Sequence, residues 1–156
     1  MNVKLGQYLA IETVSSGLVN GLLNLAAAYA IFHAHHFIPA TGSGSLLQDS
    51  IGETFIVSTL SVLIPSLIAR SRWRAGTLSL SGENRPSREV NLYVRAIVAG
   101  LIFTAVLVPC TWLLLPRIFP NGVSFANVLL FKALYGAVVG SLATFLAVRK
   151  MLAELG

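Results

Sequence analysis

Two residues of opposite charge lie inside apolar segments of the chain, and their chemistry depends on whether they meet. Lys132 lies within a run long enough to cross a membrane, and Glu53 lies near the start of another. A lysine without a partner in hydrocarbon costs about 3 kcal/mol. Because side chains lean toward the N-terminus of their helix, the Lys132 ammonium approaches the depth of Glu53. We therefore expect a Glu53–Lys132 pair, which serves either an ion or solute pathway or only the register of the helices.

Uncharged polar residues extend this pair into a candidate intramembrane site. The first apolar run carries polar side chains at four-residue steps, which keeps them on one slowly drifting helix face: Glu12, Ser16, Asn20 and Asn24. At about 1.5 Å of rise per residue, Asn24 and Thr54 lie near the charged pair, whereas Glu12 is too far away. The predicted site consists of Glu53, Lys132, Asn20, Asn24 and Thr54. Its uncharged groups either line a pathway or join helices through hydrogen bonds worth about 0.6 kcal/mol each.

Two pairs of glycines at four-residue spacing predict close helix contacts. Gly17 and Gly21 lie on the first run, and Gly136 and Gly140 lie on the run that carries Lys132. Helix backbones can approach closely where side chains are absent, and this close packing drives helix association in lipid. We expect these contacts within the bundle, in a homo-oligomer or with a membrane partner protein.

The clearest suggestion of a metal site is a histidine cluster. His33, His35 and His36 follow the first apolar run, and Asp49 lies in the same predicted external loop. Imidazoles with a carboxylate can bind zinc or copper, but this spacing matches no strong metal motif. The single cysteine, Cys110, cannot form an intrachain disulfide and lies in an apolar run, where it resembles a small hydrophobic residue. The sequence therefore assigns no metal and no other cofactor.

The elements that must position these residues are four apolar runs, each about as long as a helix that crosses a hydrocarbon core of ~30 Å. They span roughly 9–32, 51–69, 96–115 and 124–147. Hydrophobic residues make up 55% of the chain and charged residues only 11%, whereas soluble domains carry about 25% charged residues. The sequence predicts an all-α membrane protein, in which residues 1–156 form one four-helix transmembrane bundle.

The distribution of basic residues predicts the orientation of the bundle. Nine of the 11 Lys and Arg residues lie on one side of the predicted membrane: Lys4, Arg70, Arg72, Arg74, Arg85, Arg88, Arg95, Arg149 and Lys150. The opposite side has only Arg117. Because basic loops stay in the cytoplasm, we expect both termini and a basic loop at 70–95 to be cytoplasmic, in a bacterial inner membrane.

The basic loop also predicts a lipid partner. Arg70, Arg72 and Arg74 alternate with other residues around Trp73, a composition typical of a helix end at the headgroup level. Such a cluster attracts anionic headgroups by about 1 kcal/mol per basic residue. The orientation already accounts for the net charge of +5, so no nucleic-acid partner is predicted.

Three classes of function are compatible with these features. The favoured one is a structural or accessory membrane subunit, whose glycine faces bind a partner helix. The alternative is a small ion or solute transporter or channel that uses the polar face of Asn20, Asn24, Glu53 and Lys132. An intramembrane enzyme is disfavoured, because the carboxylate pairs or Ser–Lys dyads that such chemistry needs are not evident.

Overall fold

The computed structural model describes residues 5–76 and 91–155, and most of them are helical. This part of the chain forms four long helices: α1 (Leu5–Phe32), α2 (Leu46–Arg74), α3 (Leu92–Ile118) and α4 (Phe125–Leu155). Each is long and apolar enough to cross a membrane, as in an integral membrane protein. The prediction of an all-α chain with four such helices is confirmed.

The helices run up and down, so the bundle has two distinct ends. At one end, which we call the loop end, Phe32 near the close of α1 packs in a cluster with Val128 of α4. At the other, which we call the basic end, Tyr8 of α1 packs in a cluster with Ala69 of α2 and Val148 of α4. Three of the basic residues assigned above to one side, Lys4, Arg85 and Arg88, lie outside the described residues.

A short antiparallel strand pair joins the two connections at the loop end. Strand β1 (Phe37–Ile38) follows α1, strand β2 (Val123–Ser124) precedes α4, and Ile38 lies opposite Val123. Both of these side chains are buried. Gly122 has a φ of +91°, which L side chains rarely adopt, and a Cβ there would lie 3.0 Å from the Ile38 carbonyl oxygen. The strand pair therefore ties the exit of α1 to the entry of α4.

Helix α4 lies between α1 and α2, and α3 lies at the edge against α2. The contact between α1 and α4 is the most extensive in the bundle, followed by α2 with α3 and α2 with α4. Only a narrow stripe of α3 is buried, including Ala96, Gly100 and Leu115, while its other apolar side chains are exposed. Three helices, α1, α4 and α2, therefore form the polar interior, and α3 covers one side of α2.

The four glycines predicted at helix contacts lie where α1 meets α4. A Cβ on Gly17 would overlap Ser141, and one on Gly21 would lie 3.0 Å from the Ala133 carbonyl oxygen. From the other side, a Cβ on Gly136 would overlap Asn24, and one on Gly140 would lie 2.6 Å from Asn20 Nδ2. Each helix thus presents its glycines to the polar or small residues of the other.

Helix α2 begins five residues before its predicted start at Ile51, and this changes the candidate site. The Ser45 side chain caps the helix by accepting a hydrogen bond from the Gln48 backbone N–H at 3.2 Å, and Leu46 is fully buried. Asp49 therefore belongs to the first turn of the helix and not to a loop. At the other end the helix runs on to Arg74, so Arg70, Arg72 and Arg74 lie on helix α2 and not in a basic loop.

Candidate functional site

The centre of the candidate site is the ammonium group of Lys132, whose side chain is 1% exposed. It forms ion pairs with two carboxylates of α2: Glu53, and Asp49 at 2.6 Å from Nζ to Oδ2. It also donates a hydrogen bond to Ser50 Oγ at 3.1 Å. An ammonium has three N–H donors, and these three partners match that number.

Helix geometry explains why α2 supplies all three partners. Asp49 and Glu53 are four residues apart, so their side chains lie one above the other on the same face. Ser50 donates its own hydroxyl proton to the Leu46 carbonyl at 2.7 Å, which turns a lone pair of Oγ toward Lys132. Lys132 reaches this face from α4, which packs directly against α2.

The ionised site carries an unbalanced charge. Two carboxylates and one ammonium sum to one negative charge. Glu53 is 7% exposed, and its Oε1 is buried with no hydrogen-bond partner within the described residues. A buried carboxylate oxygen without a donor is costly. The arrangement can therefore accept one further positive charge, as a proton or as a cation.

Asp49 connects this buried cluster with the surface at the loop end. Its side chain is 27% exposed, compared with 1% for Lys132. It lines a pocket of about 490 Å³ between the end of α1, the following loop and the start of α2, which also contacts Phe32, His35 and Gln48. A solute in the pocket can therefore reach Asp49, but Lys132 and Glu53 lie deeper.

One turn further from the loop end, uncharged groups continue the polar interior. Tyr135 of α4 and Thr54 of α2 share a hydrogen bond between their hydroxyls at 2.6 Å, and the Tyr135 ring stacks on Phe131. Asn24 of α1 is buried beside Gly136, and its Nδ2 has no hydrogen-bond partner in the part of the chain that is described. This level therefore contains one hydrogen-bonded hydroxyl pair and one buried amide donor that has no partner among the described residues.

A second polar layer lies near the middle of the bundle and contains no charge. Asn20 Nδ2 of α1 donates to Ser61 Oγ of α2 at 3.0 Å and to the Ser16 carbonyl at 2.8 Å. Thr144 of α4 lies 2.7 Å from Ser16 Oγ and 2.9 Å from the Ser61 carbonyl oxygen. The layer therefore joins all three interior helices.

Pro65 explains the position of Thr144 in this layer. Proline has no N–H, so the carbonyl four residues earlier, that of Ser61, loses its bond within the helix. The Thr144 hydroxyl donates to this carbonyl at 2.9 Å. The same hydroxyl also donates to Ser16 Oγ at 2.7 Å, so its one proton is shared between the two acceptors. A side chain of α4 thus replaces a backbone donor of α2.

Compared with family models, curated proteins and solved structures, the chain matches none.

The structure brings together some of the predicted site residues and separates others. Glu53 and Lys132 are in contact, and Thr54 lies one residue along α2 from Glu53. Asn20 belongs to the uncharged layer, where it bonds to Ser61. Asn24 lies beside Gly136, one turn of α4 from Lys132. The role of these residues in a functional site stays a prediction.

Sequence reasoning missed Asp49, Ser50 and Tyr135 as members of the site. The sequence predicts Glu53 as the carboxylate partner of Lys132, and the structure adds a second one, because Asp49 also contacts Lys132. The signal that could have found it is Ser45-Leu-Leu-Gln48, which fits the capping-box pattern and marks a helix start before Asp49. A hydropathy window ends at Ile51 because Gln48, Asp49 and Ser50 are polar.

The remaining sequence candidates lie at the surface or at the basic end. His33, His35 and His36 are exposed, and no group of three His, Cys, Asp or Glu residues that could hold a metal occurs in residues 5–76 and 91–155. Cys110 is also exposed, on α3. Glu12 pairs with Arg72 at 3.4 Å, far along α1 from Lys132.

Proposed function

We propose that the protein is a small integral membrane transporter that carries a proton or a small cation through the site formed by Asp49, Glu53 and Lys132. One observation carries the proposal: two carboxylates share a single buried ammonium, and Glu53 Oε1 has no donor among the described residues. Buried charge is costly unless it is compensated, and in membranes it marks ion pathways. Binding of one positive charge neutralises this site, and its release restores the excess negative charge.

Access from the loop end supports loading of the site. Asp49 lines the pocket and contacts Lys132 directly, so a positive charge that reaches Asp49 competes with Lys132. When Lys132 releases Asp49, its ammonium retains its contacts with Glu53 and Ser50. The internal ammonium therefore acts as the counter-charge of the empty site.

Onward movement is supported by the polar layers and by the helix contacts. Thr54 with Tyr135, and then Asn20 with Ser61, provide hydroxyl and amide groups along the α1–α4–α2 interior. A proline inside a membrane helix removes one backbone hydrogen bond and favours bending, and Pro65 lies within α2 beside the uncharged layer. We propose that α2 bends near Pro65 to expose the site to the other side.

The orientation of the transporter is part of the proposal. The basic residues favour a cytoplasmic basic end with both termini inside, and an external loop end, in a bacterial inner membrane. Arg70 and Arg74 of α2 lie at the level where anionic headgroups are expected. Cargo would then enter the pocket from outside.

The orientation is tested by impermeant thiol labelling in intact cells, in a Cys110→Ser background. Ser43→Cys lies in the exposed loop-end connection, and Ala75→Cys lies at the exposed C-cap of α2. Ser43→Cys is expected to react from outside and Ala75→Cys only after permeabilisation. The reverse pattern would overturn the orientation.

Transport itself is tested by reconstituting the full chain in liposomes with a clamped membrane potential, while internal pH and uptake of Na⁺, K⁺ or n-butylammonium are followed. We expect flux above that of empty liposomes, and loss of that flux in Glu53→Gln. Thr59→Val is the matched control, because Thr59 faces Gly100 of α3 on another side of α2. Flux equal to that of empty liposomes with the unaltered protein, or full flux in Glu53→Gln, would contradict the proposal.

The second candidate is the accessory membrane subunit, and one observation favours it. Helix α3 leaves large apolar side chains such as Leu101, Val106 and Trp112 exposed along most of its length. A partner helix could cover this surface, in which case the buried charges only fix register. Stoichiometric co-purification of one membrane protein, lost when Val106→Lys or Trp112→Lys is introduced, would support this candidate.

A further inference from the structure

We infer that the loop-end pocket binds a small organic ammonium, with its charged head on Asp49 and a short apolar tail on the wall formed by Ile31, Phe32 and Ile38. The inference rests on the proposed function and names the substrate class of the same site. It concerns what occupies the pocket, whereas the flux assay concerns whether any positive charge crosses the bundle.

The shape and lining of the pocket fit such a ligand. Its volume of about 490 Å³ falls in the usual range for small-molecule sites, about 300–1,000 Å³. The lining combines apolar side chains, Ile31, Phe32, Ile38 and Pro39, with polar ones that include Asp49. A ligand with one polar head and one apolar tail can contact both kinds of residue, whereas an inorganic ion gains nothing from the apolar ones.

The charge of the pocket selects a cation. The residues that line it include no lysine and no arginine, and Asp49 is the carboxylate among them. An anion would be repelled by Asp49 and by the excess negative charge behind it. An ammonium on Asp49 converts two carboxylates and one ammonium into two of each, so the buried cluster becomes neutral.

Hydrogen-bond acceptors near Asp49 match the donors of a primary ammonium. Gln48 Oε1 already accepts from the Gly44 N–H at 2.8 Å, and Ser45 Oγ accepts from the Gln48 N–H at 3.2 Å. Each of these oxygens has a second lone pair. Asp49, Gln48 and Ser45 can therefore receive the three N–H donors of an alkylammonium head.

Lys132 is the internal competitor of this ligand. Its ammonium has the same chemistry as the proposed head group and occupies Asp49 Oδ2 at 2.6 Å. The ligand must displace Lys132 from Asp49, while Glu53 and Ser50 retain it. Removal of the competitor is therefore expected to strengthen ligand binding, which a purely structural role of Lys132 does not predict.

The experiment is calorimetric titration of the full chain in nanodiscs with n-butylammonium, against 1-butanol and KCl as probes. We expect saturable binding of butylammonium alone. Asp49→Asn should weaken it at least about tenfold, because a charge-assisted hydrogen bond is lost. Lys132→Met should tighten it by a similar factor. Ile31→Ala should weaken it less, and Glu12→Gln, a carboxylate change at the basic end, should leave it unchanged.

Several outcomes would overturn the inference. They are equal affinity for butylammonium and 1-butanol, full affinity in Asp49→Asn, and unchanged affinity in a folded Lys132→Met. If Lys132→Met does not fold, the affinities of Asp49→Asn and Ile31→Ala test the inference. Both variants are expected to fold, because Asp49→Asn keeps the Glu53–Lys132 pair and Ile31 is half-exposed. Cation flux that depends on Glu53 without amine binding would refute the ligand and leave the proposed function. Amine binding without any flux would support the ligand and refute the proposed transport.

Discussion

The charged layer around Lys132 and the uncharged layer of Asn20, Ser61 and Thr144 differ in how completely their polar groups are satisfied. In the uncharged layer, Asn20, Ser61 and Thr144 bond to one another across three helices, and even the carbonyl freed by Pro65 has a donor. In the charged layer, Asp49 and Glu53 share one ammonium, and Glu53 Oε1 has no donor within the described residues. A satisfied network holds helices together, while an unbalanced one has capacity for a ligand.

The two layers also differ in their access to water. The uncharged layer is enclosed by glycine contacts, since Gly140 lies against Asn20. The charged layer meets a pocket through Asp49, whose side chain is 27% exposed. Close backbone packing excludes solvent from the uncharged layer. The charged layer lies at the capped start of α2, where Asp49 lines the pocket. The same three helices therefore provide a structural joint and a candidate binding site.

The largest expected effect comes from removing the ammonium of the charged layer. Lys132→Met leaves the buried Glu53 and the partly exposed Asp49 without a counter-charge, and loss of one side of a buried ion pair costs about 3–5 kcal/mol. We expect a loss of this size in the free energy of unfolding measured in mixed micelles. The triple variant Asp49→Asn, Glu53→Gln, Lys132→Met should recover most of it, and additive losses would refute the coupling.

Next is the glycine contact at which α4 meets Asn24 of α1. Gly136→Leu places a side chain where Asn24 and the Asn20 carbonyl lie, so the free energy of unfolding should fall by about 3 kcal/mol, the upper end for overpacking. Gly52→Leu is the matched control, since a Cβ there meets no atom within 4 Å. Equal losses for the two variants would show that the α1–α4 contact is not tight.

A smaller effect is expected from Thr144. Thr144→Val removes the donor to the Ser61 carbonyl and should cost about 1–2 kcal/mol, as for a buried group left without a partner. In a Pro65→Ala background the helix regains its own N–H donor to that carbonyl. The cost of Thr144→Val should then shrink, and an unchanged cost would contradict the proposed role of Thr144. Thermal unfolding of the unaltered protein, the two single variants and the double variant measures both costs.

The smallest expected effects come from removing one carboxylate of the charged layer. Asp49→Asn and Glu53→Gln each leave one carboxylate with one ammonium, so each should change the free energy of unfolding by less than about 1 kcal/mol. This asymmetry with Lys132→Met follows from the two-to-one charge ratio. If Glu53→Gln destabilises as strongly as Lys132→Met, the cluster behaves as a simple pair and Asp49 contributes little.

The helical class and the need for a partner at Lys132 follow from composition and charge alone. Long apolar runs interrupted by few charges can satisfy their backbone only as helices, and that depends on composition and length alone. The need for a carboxylate near Lys132 follows from the cost of an unpaired charge, whatever the packing. Glycine spacing similarly marked α1 and α4 as helices with close neighbours, without naming which helices they contact.

The groups that complete each polar layer depend on tertiary packing. Asp49 entered the site because Ser45 caps α2 and Leu46 is buried against the loop end, and both depend on contacts with distant segments. Thr144 serves the carbonyl freed by Pro65 because α4 lies against that side of α2, which no local pattern specifies. The physical reason is that charge and hydropathy are local properties, whereas hydrogen-bond satisfaction depends on which helix faces which.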